Sequence, residues 1–317
     1  MTLTGAVFTF PGGLAAGFAA LIMTGLSWSL VGIVMGGAPR RNVDTGLVQF
    51  AGAIVTLTIS IITVFSLKNA PEWGKILPVL CYFFTGVINY TMLQLMSLAM
   101  QKGPNGVIWG MIQSGTVCPF LMGVIFFDVS PTVWRLTGLV MLIAALFAFG
   151  STKPESGGGA KKQWLPLTLL AFCMCGFQQC LTSMPSYFED FRTMSPVVRT
   201  LLVATGTLTV SLTVLLVKCY RFRTNIFRDQ VKKTDFWRYV IMLQFFGLIA
   251  AYFLTYNGMD TLAEAGMGAV SYPLMVASCI VGFSFYSIVW LREKNCWQQY
   301  LAFAMCLSGI ICLCIVS

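Results

Sequence analysis

Amides, hydroxyls and aromatic rings recur at helical spacing inside the apolar runs of this sequence. These groups bind a neutral polar solute through hydrogen bonds and ring stacking. Tyr82, Gly86 and Asn89 follow i, i+4, i+7, and Trp109, Gln113 and Thr116 repeat that spacing, so each trio shares one helix face. Thr24, Ser27 and Trp28 form a third group; Gln178 with Thr182 and the adjacent Gln179 form a fourth. Gln244, Tyr252 and Tyr256, and then Ser271 with Ser278, extend the set toward the C-terminus. From these we take Trp28, Tyr82, Asn89, Trp109, Gln113, Gln178, Thr182, Tyr252 and Ser271 as candidate substrate-binding residues. The competing reading is that the same amides join helices by interhelical hydrogen bonds of about 0.6–2 kcal/mol each.

What these runs omit is equally informative. The sequence has no His, and no Asp, Glu, Lys or Arg is expected deep inside an apolar run. A nucleophile–imidazole pair, a His-bearing zinc motif and a paired-carboxylate site are therefore not expected, and neither is an enzyme, a metal or a cofactor. A buried proton relay and a fixed counter-ion for a charged substrate are disfavoured on the same ground. The eleven Cys lie mostly within apolar runs and read as small buried hydrophobes with free thiols.

The elements that must position these groups follow from composition. Of 317 residues, 57% are hydrophobic and 10% charged, against roughly 45–50% and about 25% in a soluble domain. Runs of about 20 apolar residues, each enough to cross a bilayer as a helix, are expected near 13–36, 46–67, 76–100, 105–127 and 132–150. A second set is expected near 164–184, 196–217, 238–258, 265–290 and 297–316. The first run lacks a basic start and a small-residue cleavage site, and reads as a retained span. The fold class is thus an all-α polytopic membrane protein of ten helices. Residues 1–150 and 164–317 form two five-helix units, and the Gly- and Lys-containing segment 151–163 links them.

Basic residues are retained on the cytoplasmic side of short loops. Loops after odd-numbered spans hold fifteen of the twenty Lys and Arg, including Arg40, Arg41 and the run from Lys218 to Arg238. The remaining five are Lys68, Lys75, Arg135, Arg192 and Arg199. This places both termini outside the cytoplasm of a cell bounded by the plasma or inner membrane. It also accounts for the net charge of +9 without a nucleic-acid partner; the expected partners are the bilayer and a small solute.

The ends of the two halves correspond. Gly103-Pro104-Asn105-Gly106-Val107 leads through Phe127-Asp128 to Trp134 and a final helix. Gly266-Met267-Gly268-Ala269-Val270 leads through Glu293-Lys294 to Trp297 and another. An odd number of spans per half inverts one relative to the other, the logic of secondary transporters. Together with Gly86-x-x-Asn89-Tyr90, these features resemble the drug/metabolite transporter superfamily, most closely its rhamnose/proton symporter and glucose/ribose permease branches. The resemblance implies two inverted five-helix repeats around a central cavity to which spans three, four and six contribute. It further implies carriage of a small neutral polar metabolite, sugar-like, by alternating access. Export of amino acids or drug-like metabolites, and a passive channel, are the alternatives. The sequence departs from the pattern at Phe127-Asp128-Val129, where Glu is commoner, and in 247–252, which lacks an Asn found in some relatives.

Acids at the rims, Asp128, Asp260, Glu264 and Glu293, are the places where a coupling proton or sodium ion could act; for Asp260 and Glu264 the alternative is capping the helix that begins near 265. Pro119 and Pro273, one per half, are read as hinges or tolerated kinks. Trp73, Trp134, Trp164, Trp237 and Trp297 are expected in interfacial belts.

Overall fold

The computed structural model describes residues 13–66, 75–127, 132–151, 163–222, 226–249, 254–292 and 297–314. Every regular element among them is helical, as a chain in lipid requires, because a helix satisfies its own backbone groups. In order they are α1 Gly13–Gly37, α2 Thr45–Ser66, α3 Ile76–Met100, α4 Asn105–Gln113, α5 Val117–Phe126, α6 Val133–Ser151 and α7 Trp164–Ser183. There follow α8 Glu189–Arg192, α9 Pro196–Phe222, α10 Ile226–Val231, α11 Thr234–Ile249, α12 Tyr256–Glu264, α13 Gly268–Val289 and α14 Trp297–Cys314.

Seven of these stretches are long and apolar enough to cross a membrane: those formed by α1, α2, α3, α4 with α5, α7, α9 and α13. The helices α6 and α14 are apolar but shorter, and α11 is described over the 16 residues Thr234–Ile249. The outer surface carries Phe65, Phe147, Phe285 and Trp290, each more than 60% exposed. Such an exterior suits a protein whose solvent is a bilayer.

The helices pack in a defined set of pairs. The pair α6–α14 is one; α1 lies on α13, α3 on α7 and α9, and α2 on α9. The helices α4 and α5 lie on α7, α11 on α2 and α1, and α12 on α1. Close approach depends on small residues. At the α3–α9 crossing, a Cβ on Gly86 would stand 2.0 Å from Val203 O, and one on Gly206 2.0 Å from Phe83 O. Each glycine therefore admits the other helix's backbone, the packing mode of helices in lipid.

Two local interruptions have sequence causes. Between α4 and α5 the chain tightens into a 3₁₀ turn, Ser114–Thr116. Pro119 lacks the N–H that would bond Gly115 O, so the α-helical ladder breaks one turn before it. Pro273, by contrast, lies inside α13 without interrupting it. The end of α12 is a Schellman turn: Gly266 has φ +74°, Met267 N donates to Leu262 O at 2.7 Å, and Gly266 N donates to Ala263 O at 3.0 Å.

That turn corrects one expectation. Asp260 and Glu264 belong to α12 and precede its C-terminal turn, so they do not cap α13. Trp164 is a second correction, since it is 3% exposed and its indole fills the space beside Gly103. Trp134, Trp237 and Trp297 are exposed, while Trp73 lies outside the described residues.

Candidate functional site

A cavity of about 280 Å³ lies among the helices, close to the small end of the range for ligand pockets, roughly 300–1,000 Å³. Its polar wall comes from Gln49 and Thr56 on α2, Thr85 and Asn89 on α3, Gln113 on α4, Gln178, Gln179 and Thr182 on α7, and Gln244 on α11. Trp28, Trp109, Tyr256 and Tyr272 supply aromatic rings. Among the described residues no Asp, Glu, Lys or Arg lines it. It can therefore hold hydrogen-bonding groups but offers no ion pair to a charged one.

Helix geometry explains how these groups converge. Gln49, Ala53 and Thr56 make an i, i+4, i+7 stripe on α2. Gly52 makes room beside that stripe, since a Cβ there would lie 2.1 Å from Gln244 Nε2. Thr56 Oγ1 donates to Gln244 Oε1. On α7, Gln178 Nε2 donates to Thr182 Oγ1 at 3.3 Å, and Thr182 Oγ1 donates back to Gln178 O at 2.9 Å. The Trp28 and Tyr272 rings meet at 5.7 Å and 50°.

Of the sequence-derived candidates, Trp28, Asn89, Trp109, Gln113, Gln178 and Thr182 line this cavity. Tyr82 does not. The Gly86 face of α3 is taken up by α9, and Tyr82 is buried between Phe191 at 5.9 Å and Tyr256 at 6.1 Å. Ser271 is also fully buried away from the cavity; its neighbour Tyr272, about 100° further round the helix, reaches it instead. Tyr252 lies outside the described residues. Gln49, Thr56, Thr85 and Tyr272 are cavity residues that sequence reasoning missed, although the α2 stripe was visible in its spacing.

The rim acids separate as well. Asp128 and Glu293 lie outside the described residues, and Glu264 is exposed. Asp260 is 6% exposed, which corrects its expected place at a rim. Its Oδ1 accepts from Arg199 Nη1 at 3.0 Å. Arg199, expected in a loop at the start of a span, is 0% exposed in the first turn of α9. Its Nε donates to Met194 O at 2.8 Å, its Nη2 to Arg192 O at 2.7 Å, and its guanidinium sits 5.2 Å from the Tyr256 ring centroid. The expectation that no charge is buried thus fails here, and the charge survives burial because a carboxylate and two carbonyls meet it.

A smaller chamber of about 170 Å³ lies toward Arg40, Arg41, Asn105 and Tyr239. Trp109 of the larger cavity stacks on Phe283 of the smaller at 4.9 Å and 29°. The stack sits against Gly32, where a Cβ would come within 2.8 Å of both rings.

No family profile matches the chain, and no curated protein does. Solved structures do: one, described only as "Crystal structure of protein", superposes with a TM-score of 0.63 at 14% identity. The match covers 94% of this chain and 96% of that one. The likeness is one of fold, extending over nearly the whole chain.

Proposed function

We propose that the protein is a secondary transporter of the ten-span, inverted-repeat class, which carries a small neutral polar metabolite, sugar-like, by alternating access. The observation that carries this reading is the uncharged cavity, walled by amides, hydroxyls and rings drawn from both halves of the chain. Its volume suits a solute of modest size.

The packing pairs support the inverted repeat. Exchanging the halves maps α1 on α13 onto α7 on α4 and α5, and α3 on α7 onto the α11–α12 pair on α1. It maps α3 on α9 onto α11 on α2, and α6–α14 onto itself. Two units that meet around a shared cavity in this way can rock about it. In this reading α6, α14 and α11 with α12 complete the ten spans, both termini lie outside the cytoplasm, and the membrane is the plasma or inner membrane. Among the described residues the cavity lining supplies no carboxylate for ion coupling.

The test is a melting screen of purified protein against neutral sugars, amino acids and nucleosides, since a ligand that binds only the folded state raises its apparent stability. Stabilisation by neutral hydroxylated solutes is expected. Stabilisation by amino acids alone would move the assignment to the exporter alternative.

A further inference from the structure

We infer that the smaller chamber, at the arginine-bearing end of the helices, is a binding site for a phosphate-class anion: inorganic phosphate or the headgroup of an acidic phospholipid. The inference goes beyond the proposed function and does not rest on it, because the Trp109–Phe283 stack divides this chamber from the solute cavity.

Arg40 and Arg41 both line the chamber, and among the described residues no Asp or Glu does. A third cation stands beside them. Asp235 Oδ1 accepts from Arg41 Nη1 at 2.9 Å and lies 3.6 Å from Arg238 Nη1, so two guanidiniums converge on one carboxylate oxygen. Arg40, Arg41 and Arg238 all act electrostatically on the phenol of Tyr239, and Asp235 is the one acid that acts on it with them. Tyr239 lines the same chamber. Three positive charges thus meet one negative charge around a single space.

Each guanidinium has donors to spare. It carries five N–H groups, and among the described residues each meets a single partner. Arg40 Nη2 donates to Asn105 at 2.7 Å, with the amide turned so that Asn105 Nδ2 donates to Met100 O at 3.0 Å. Arg41 and Arg238 meet Asp235 alone. Their side chains are 55% and 72% exposed, and Arg40 is exposed too, so a ligand reaches all three without displacing packed atoms. Gly36 and Gly37 put no side chain into the chamber; a Cβ on Gly37 would come within 3.1 Å of the Tyr239 hydroxyl.

Retention of basic residues on one side of a membrane accounts for arginines at this end of the helices, but not for their convergence on one chamber. The planar guanidinium fork matches phosphate oxygens in pairs, which suits such a cluster to phosphate. The volume of about 170 Å³ admits a phosphate group and falls below the roughly 300 Å³ from which pockets for larger ligands begin. In the proposed orientation this end meets the cytoplasmic leaflet, whose acidic headgroups are one source of the ligand. Dissolved phosphate is the other.

The experiment measures melting of the full-length protein in neutral detergent micelles. One series adds millimolar inorganic phosphate against sodium chloride at equal ionic strength; the other adds dioleoyl phosphatidylglycerol against dioleoyl phosphatidylcholine. Stabilisation in the first series identifies the free anion, and stabilisation confined to the second identifies the lipid headgroup. In either case Arg40→Gln and Arg41→Gln should each raise the half-saturating concentration about tenfold. Asp235→Asn removes the competing carboxylate and should lower it about threefold. Where a Gln variant does not fold, the Lys variant keeps the charge but loses the fork, and should raise the half-saturating concentration by a smaller factor. Phosphate that does no more than chloride, together with phosphatidylglycerol that does no more than phosphatidylcholine, would overturn the inference. So would a stabilisation that the arginine variants leave unchanged, or one that Asp235→Asn weakens. Each of these results leaves the transporter reading standing, since that reading rests on the other cavity.

Discussion

Replacing Arg199 by Met removes a cation that is 0% exposed and strips the Asp260 carboxylate, 8% exposed at its side chain, of the guanidinium that contacts it. Three hydrogen bonds go with it, from Nη1 to Asp260 Oδ1 and from Nε and Nη2 to the carbonyls of Met194 and Arg192. Breaking a buried pair from one side costs about 3–5 kcal/mol, most of it the unpaired charge that remains. At about 2 °C per kcal/mol for a chain of this size, melting should fall by roughly 6–10 °C. Asp260→Asn keeps an oxygen where Oδ1 accepts from Nη1, and should cost less than Arg199→Met. The double variant Arg199→Met with Asp260→Asn leaves no charge in the pair, so it should melt well above the sum of its single variants. The assay is thermal unfolding in detergent micelles and again in lipid nanodiscs, with all four proteins compared. Single variants that melt within about 1 °C of wild type, or a double variant that is simply additive, would refute the view that this pair is desolvated and mutually dependent.

Asn89→Ala, Gln113→Ala and Trp109→Ala should each weaken binding of a stabilising solute while retaining wild-type yield and monodispersity on size-exclusion chromatography; wild-type affinity in all three would mean that the cavity is not the site. Gly206→Ala places a methyl 2.0 Å from Phe83 O, so α3 and α9 must separate, and a loss of about 1–3 kcal/mol is expected in unfolding measurements. Gly32→Val drives a side chain into the Trp109–Phe283 stack, and should increase labelling of the cavity-lining Cys175 by a small thiol reagent relative to wild type.

Helix positions were legible because runs of apolar residues bounded by Gly, Pro and charge mark a membrane helix strongly. The segment read as 76–100 is α3, Ile76–Met100, and the one read as 13–36 is α1, Gly13–Gly37. Rotational phase was less legible. In lipid the outer face is as apolar as the packed one, so periodicity does not say which way a helix turns. Tyr82 and Ser271 turn away from the cavity for this reason, while Asn89 and Gln113 line it. Arg199 and Asp260 failed differently. A charged residue near the end of an apolar run looks like a loop or a cap, and only the tertiary meeting of α9 and α12, 61 residues apart, reveals that each allows the other to be buried. The Schellman turn at Gly266 could have been suspected from Ala265-Gly266, but that it closes a separate helix, α12, appears only in the structure.

The central claim is that solute crosses by alternating exposure of one cavity. Reconstituted into liposomes preloaded with unlabelled sugar, of the kind that stabilises the protein, wild type should take up the labelled sugar transiently above equilibrium. Initial rates should saturate with external concentration, and both effects should weaken in Asn89→Ala. Uptake that rises linearly with concentration and is indifferent to preloading would contradict the carrier account and identify a passive pore.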